Sequence, residues 1–131
     1  MLKGQCVCGA VRFEVEDAFH YAGYCHCSRC RKRTGSAFAA YAGIEAEKLR
    51  VVAGEANIDH AEESAEGYHA FCARCHSWLF STLRGGTWVH LRLGALDDAP
   101  SRRPDHHIYV GSKAPWHTIT DMLPQYETLP P

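Results

Sequence analysis

Seven cysteines, grouped rather than scattered, constrain this chain more than any other feature of its sequence. From the N-terminus, the groups are Cys6 and Cys8, then Cys25, Cys27 and Cys30, then Cys72 and Cys75. An odd number of cysteines cannot all pair as disulfides within one chain, and inert buried cysteines have no reason to be so closely spaced. Such spacing is typical of metal ligands, and clustered thiolates most often hold zinc. The cysteines therefore predict a zinc protein.

The spacing fits two zinc sites of different kinds. A Cys-x-x-Cys turn lets two sulfurs converge on one ion, and Cys6-Val-Cys8 does the same if the backbone bends, which Gly9 permits. The first and last groups together supply four sulfurs, the closed tetrahedral set of structural zinc. The middle group supplies three sulfurs and leaves one position open, as in catalytic zinc. This division predicts two Zn²⁺ ions per chain, one of them labile.

Two other arrangements remain open on spacing alone. His26 or His76 would close the three-sulfur site as a fourth ligand, although His26 stands between two cysteines and is expected to point away from the ion. Alternatively, the Cys-x-x-Cys pair that ends at Cys30 combines with the pair that ends at Cys75, and the other three cysteines are free.

The charge of each set suggests its chemistry. Four thiolates around Zn²⁺ leave a net charge of about −2 and a saturated ion, whereas three thiolates leave about −1 and an open position. A soft sulfur shell favours another sulfur as the incoming ligand. The middle group therefore predicts a small-molecule thiol as substrate.

Size and charge narrow the classes of function. The chain has 131 residues, the length of one domain, and we expect residues 1–131 to form a single zinc domain. A formal charge of −1 gives no general attraction to nucleic acid or to an anionic membrane. The sequence has no signal-peptide pattern and no membrane-spanning apolar run, so we expect a cytoplasmic protein without nucleic-acid or membrane partners.

Hydrophobic periodicity predicts a mainly β fold. Val11, Phe13 and Val15 alternate with charged residues, as expected for a half-buried strand, and residues 89–93 show the same alternation. Further strand candidates are residues 36–42, 49–53, 67–71, 78–83 and 107–110. Helix is expected only as single turns at residues 28–33 and 118–121. The predicted class is thus antiparallel β with little helix.

Five motifs, in order, resemble the glutathione-dependent formaldehyde-activating enzyme family, which also includes centromere protein V. They are GQCVCGAVRF at residues 4–13, CHCSRCRKRTGS at 25–36, FCARC at 71–75, GALDD at 94–98, and KAPW at 113–116 followed by DMLP at 121–124. A single Cys-x-x-Cys would be a weak signal, but five ordered motifs across nearly the whole chain are a strong one.

The resemblance implies a zinc-stapled β-tent fold of several coiled antiparallel sheets. It assigns Cys6, Cys8, Cys72 and Cys75 to the structural zinc and Cys25, Cys27 and Cys30 to the catalytic zinc. It implies a carbon–sulfur lyase activity, in which glutathione adds to formaldehyde and gives S-hydroxymethylglutathione. Because a fold does not fix a function, a non-enzymatic zinc-binding module for a protein or nucleic-acid partner is the alternative.

Two further features lie close to the cysteines in the sequence. His76 stands where the family usually has glycine, which predicts a residue with positive φ, and histidine tolerates that conformation better than most residues. A basic run, made of Arg29, Arg31, Lys32 and Arg33, follows the middle cysteines. It is either a solvated turn or a surface that attracts an anionic substrate.

Overall fold

The computed structural model describes residues 1–131 and contains ten β-strands and one α-helix. The strands are β1 (Leu2–Gln5), β2 (Arg12–Val15), β3 (Tyr21–Cys25), β4 (Ala39–Glu45), β5 (Leu49–Ala53), β6 (Ile58–Ala61), β7 (His69–Cys72), β8 (Trp78–Leu83), β9 (Trp88–Arg92) and β10 (His107–Ile108). The helix, α1 (Ser28–Thr34), lies between β3 and β4. The predicted mainly β class is confirmed. No helix is long and apolar enough to span a membrane.

The strands form two sheets. The smaller has the order β1-β2-β5, and the larger has the order β10-β3-β4-β9-β8-β7-β6. Every pairing is antiparallel except that of β10 with β3, which is parallel. Five of the pairings join strands that are consecutive in the chain, whereas β2–β5, β4–β9 and β10–β3 join distant strands.

The hydrophobic core lies between the two sheets. Val11, Phe13 and Val15 are at most 1% exposed, which confirms the alternation seen in the sequence. They pack in one cluster with Ile44 of β4 and Leu91 of β9 from the larger sheet. One side of the larger sheet therefore faces the core.

The other side of the larger sheet is aromatic and polar. Cross-strand partners point to the same side of a sheet, and Tyr41 on β4 is the partner of Arg92 on β9. Tyr21 and Cys25 of β3 and His90 of β9 pair with residues two positions from Tyr41, so their side chains share this side. We call these five residues the polar face, and it carries one of the cysteine groups.

Local sequence patterns predicted the bounds of some elements correctly and of others incorrectly. The strands predicted at 49–53 and 78–83 coincide with β5 and β8. The strand predicted at 36–42 begins three residues later, because α1 extends to Thr34 and Gly35 ends it in the left-handed conformation. The helical turn predicted at 118–121 is wrong: the Asp121 carboxylate accepts hydrogen bonds from the backbone N–H of Leu123 and from His107 instead.

Candidate metal centres

The first and last cysteine groups meet in a four-sulfur cluster. Cys6 and Cys8 lie in the β1–β2 loop, Cys72 ends β7, and Cys75 lies in the turn before β8. All four Sγ atoms are within 4.8 Å of one another. The Cys6–Cys8 and Cys8–Cys72 sulfur distances are 3.6 and 3.7 Å. Zinc–sulfur bonds of about 2.3 Å in a tetrahedron give sulfur–sulfur distances of about 3.8 Å, so the donor set fits Zn²⁺.

This cluster joins the two sheets. The loop that carries Cys6 and Cys8 belongs to the smaller sheet, and Cys72 and Cys75 belong to the β7–β8 hairpin of the larger one. An ion held there would connect segments more than 60 residues apart in the chain. The position favours a structural role.

Polar neighbours hold these sulfurs in place. The backbone N–H of Val11 donates to Cys6 Sγ at 3.3 Å, and the side-chain amide of Asn57 donates to Cys72 Sγ at 3.3 Å. The Ser77 hydroxyl accepts from the backbone N–H of Val7 at 3.0 Å and lies 3.2 Å from Cys75 Sγ. Hydrogen bonds from Ser77, and then from the backbone N–H of Cys8, lower the pKa of Cys75 to about 5. The thiolate form of Cys75, which binds metal, is thus favoured.

The middle cysteines form a separate three-sulfur cluster. Cys25 ends β3, Cys27 is the N-cap of α1, and Cys30 lies in its first turn, with all three Sγ atoms within 4.8 Å of one another. The backbone N–H of Cys30 donates to Cys27 Sγ at 3.2 Å, so the sulfur takes the place that an oxygen usually has at a helix N-cap. Hydrogen bonds from the thiols of Cys25 and Cys30 lower the pKa of Cys27 far below its usual value. Three converging soft donors fit Zn²⁺ with one position left for another ligand.

The geometry answers the two questions that spacing left open. The two Cys-x-x-Cys pairs belong to different clusters, so they are not placed to share one ion. Neither His26 nor His76 belongs to either cluster. The prediction that His26 points away from the sulfurs is confirmed: its ring is completely buried and contacts His107 instead.

A chain of hydrogen bonds fixes the residue between two of the sulfurs. His26 Nε2 lies 2.8 Å from His107 Nδ1, and His107 Nε2 lies 3.0 Å from the Asp121 carboxylate. With both rings neutral, His107 donates to Asp121 and accepts from His26. Burial is the main cause of the lowered pKa of His26, about 4, and it favours the neutral ring. The backbone N–H of His26 also donates to the carbonyl of Ile108 at 2.9 Å, so β10 and the C-terminal segment hold the Cys25–Cys27 turn.

The basic run is largely engaged by partners within the protein. Arg29 and Arg33 contact the Glu62 carboxylate at 3.2 and 2.7 Å. Arg31 donates from Nε to the Ser112 carbonyl at 3.2 Å. The run is therefore not a simple solvated turn, and most of it is tied to neighbouring loops.

His76 has the conformation that its position in the sequence predicted. Its φ is 64°, in the left-handed region, and its side chain is exposed. Glycine adopts this conformation without strain, whereas residues with a Cβ atom do so at a cost of about 1–2 kcal/mol. The cost for histidine lies between that for glycine and that for most other residues.

His76→Gly is therefore expected to raise the free energy of unfolding above that of His76→Ala by about 1 kcal/mol, with wild type between the two. Urea unfolding followed by circular dichroism measures this order. Because the side chain is exposed, neither variant loses packing, and equal stability of the two would contradict the strain argument.

The comparisons with known proteins agree with the site. A family model of glutathione-dependent formaldehyde-activating enzymes matches residues 1–112, which include all seven cysteines. A Halomonas elongata protein, named as a candidate enzyme of this kind, is 34% identical over 128 residues, spanning 91% of this chain and 81% of that protein. The crystal structure of a Rhodobacter sphaeroides protein matches with a TM-score of 0.63 and 31% identity, covering 76% of this chain and 92% of that one.

This chain therefore belongs to the glutathione-dependent formaldehyde-activating enzyme family, as its ordered motifs predicted. The match ends at residue 112, so Asp121 and the rest of the C-terminal segment lie outside it.

Proposed function

We propose that this protein is a zinc-dependent carbon–sulfur lyase that joins glutathione to formaldehyde, or acts on a related thiol–aldehyde adduct. The observation that carries the proposal is the three-sulfur cluster, which no fourth protein ligand closes. Membership of the family and the name of the Halomonas elongata relative support glutathione and formaldehyde as the substrates.

The reaction is an addition without oxidation or reduction. The thiol sulfur forms a bond to the aldehyde carbon, the carbon–oxygen π electrons move to oxygen, and the thiol proton ends on that oxygen. A bound Zn²⁺ would supply positive charge that lowers the pKa of a thiol at its open position. The protein would contribute proximity, since a bound thiol and a bound aldehyde react as if in one molecule.

The two clusters would have different roles, one catalytic and one structural. Cys25, Cys27 and Cys30 would hold the catalytic zinc, with the N-terminus of α1 and the end of β3 setting the separation of their sulfurs. The four-sulfur cluster would hold a structural zinc, since it offers the four sulfurs that a tetrahedral ion needs and joins the two sheets. We propose the cytoplasm as the location, because seven free thiols and a glutathione substrate both suit a reducing compartment.

The test is NMR exchange spectroscopy of glutathione with formaldehyde. We expect the wild-type protein, loaded with two Zn²⁺ per chain, to speed exchange between free glutathione and its hydroxymethyl adduct. A folded Cys27→Ser protein is the control and should leave exchange at the rate seen without protein. If wild type also has no effect, the proposed activity is wrong, and the non-enzymatic zinc module becomes the better hypothesis.

A further inference from the structure

Arg92, at the end of β9, is a buried cation without a carboxylate partner. The residue is 9% exposed, and its Nε atom is buried with no hydrogen-bond partner. Its guanidinium makes one long hydrogen bond, 3.5 Å, to the carbonyl of His90, and it stacks on the Trp78 ring at 4.1 Å from the centroid. A buried charge is costly unless an opposite charge or hydrogen-bond acceptors compensate it. The Cys30 sulfur compensates part of this charge, but the Nε–H group is left without an acceptor.

A cavity adjoins this cation. It has a volume of about 400 Å³, and its lining includes Arg92, Arg33, Trp78 and His76. No aspartate or glutamate lines it. The Trp78 Nε1–H group, like Arg92 Nε, is buried without an acceptor. The cavity is therefore rich in unused donors and positive charge, which suits a ligand that carries a negative charge and oxygen acceptors.

The same guanidinium lies beside the three-sulfur cluster. Burial lowers the pKa of Arg92, and the charges of Cys30, Cys25 and Cys27 act in the opposite direction. Ala39, which pairs with Cys25 across β3 and β4, also lines the cavity. Arg92 thus lines the cavity and shares one side of the larger sheet with Cys25.

We propose that this cavity binds the carboxylate of the thiol substrate, with Arg92 as the residue that recognises it. This inference rests on the proposed function, because it takes the thiol end of the substrate to lie at the three-sulfur cluster. A planar guanidinium donates two parallel hydrogen bonds to a carboxylate, and the contact with the Trp78 ring restrains its plane. Arg33, whose side chain is 14% exposed and whose charge is shared with Glu62, also lies near the Trp78 ring, 5.6 Å from its centroid, and adds positive potential. Neutral thiols would lack this anchor.

The test compares a matched pair of thiols, 3-mercaptopropionate and its methyl ester, by isothermal titration calorimetry on the zinc-loaded protein. Wild type is expected to bind the acid at least about tenfold more tightly than the ester, the size of a charge-assisted hydrogen-bonding contact. In Arg92→Gln the two thiols should bind equally, and in Arg92→Lys the preference should shrink, because the two-point geometry is lost. Arg29→Gln, an exposed arginine on the same helix as Arg33, is the control and should keep the preference.

Propionate, which has no thiol, separates this proposal from the proposed function. Equal binding of acid and ester by wild type overturns the carboxylate site and leaves the lyase proposal standing, and this result needs no variant to fold. If propionate binds wild type as tightly as 3-mercaptopropionate does, and binds Arg92→Lys less tightly, the anion site stands and the thiol substrate is wrong. If a folded Arg92→Lys protein loses affinity for both thiol ligands equally, Arg92 only neutralises the charge of the cysteine sulfurs, and the proposal is overturned.

Discussion

Replacement of Cys72 by serine is expected to leave little folded protein at 37 °C. Cys72 is completely buried at the end of β7, and its sulfur receives hydrogen bonds from Asn57 and from the backbone N–H of Cys75. It is also 3.7 Å from Cys8, across the junction of the two sheets. A structural zinc ion contributes roughly 10–16 kcal/mol of binding energy that is also folding energy, whereas a domain of this size is stable by only about 5–15 kcal/mol. Loss of one buried ligand should therefore unfold the protein or make it insoluble.

Thermal unfolding by circular dichroism and the zinc content per chain measure this effect. Wild type should lose most of its thermal stability when a strong chelator removes both ions. Cys30→Ser, which changes the other cluster, is the matched control and should unfold near the wild-type temperature. A soluble Cys72→Ser protein with wild-type stability would show that the four-sulfur cluster is not a structural site.

The sequence was most informative where ligands lie close together along the chain. Cys25, Cys27 and Cys30 lie on one turn and the start of one helix, so their spacing alone brings the sulfurs together. The pairing of Cys6 and Cys8 with the distant Cys72 was different, because spacing allowed another combination and only the family motifs favoured this one. The fold gives the physical reason: the β1–β2 loop packs on the β7–β8 turn, and Ser77 connects them through the N–H of Val7.

The groups around the sulfurs could not be predicted, since they are assembled by the order of strands in the larger sheet. His26 and His107 are 81 residues apart in the chain and meet because β10 pairs in parallel with β3. No local sequence pattern predicts this contact. Arg92 ends an alternating strand and looks like a surface residue in sequence, yet Trp78 covers it. The Thr-x-x-Asp spacing at 118–121 suggested a helix cap, but Asp121 bonds to His107 at longer range. Tertiary contacts thus overrode a weak local signal.

The second large effect is expected at the three-sulfur cluster, where Cys27→Ser should remove function and leave the fold. Cys27 is only partly buried, and its sulfur caps α1 by accepting from the N–H of Cys30. Serine is among the best N-cap residues, so its oxygen should keep that hydrogen bond and the helix should remain. An oxygen in place of one of three thiolates should weaken metal binding strongly, since even losses outside the ligand shell cost about 10–100-fold. We expect one Zn²⁺ per chain instead of two, and a rate of adduct exchange lowered at least about 100-fold.

Cys27→Ala separates the two roles of this side chain. It removes the ligand and the cap together, so it should match Cys27→Ser in zinc content and activity but be less stable by about 1 kcal/mol. Zinc release to a colorimetric chelator, read beside the thermal unfolding temperature, distinguishes the variants. Two tightly held ions in Cys27→Ser, or a loss of stability like that of Cys72→Ser, would mean that the three sulfurs do not form an open, labile site. One retained ion with an unchanged unfolding temperature would instead assign that ion to the four-sulfur cluster, because only this cluster joins the two sheets.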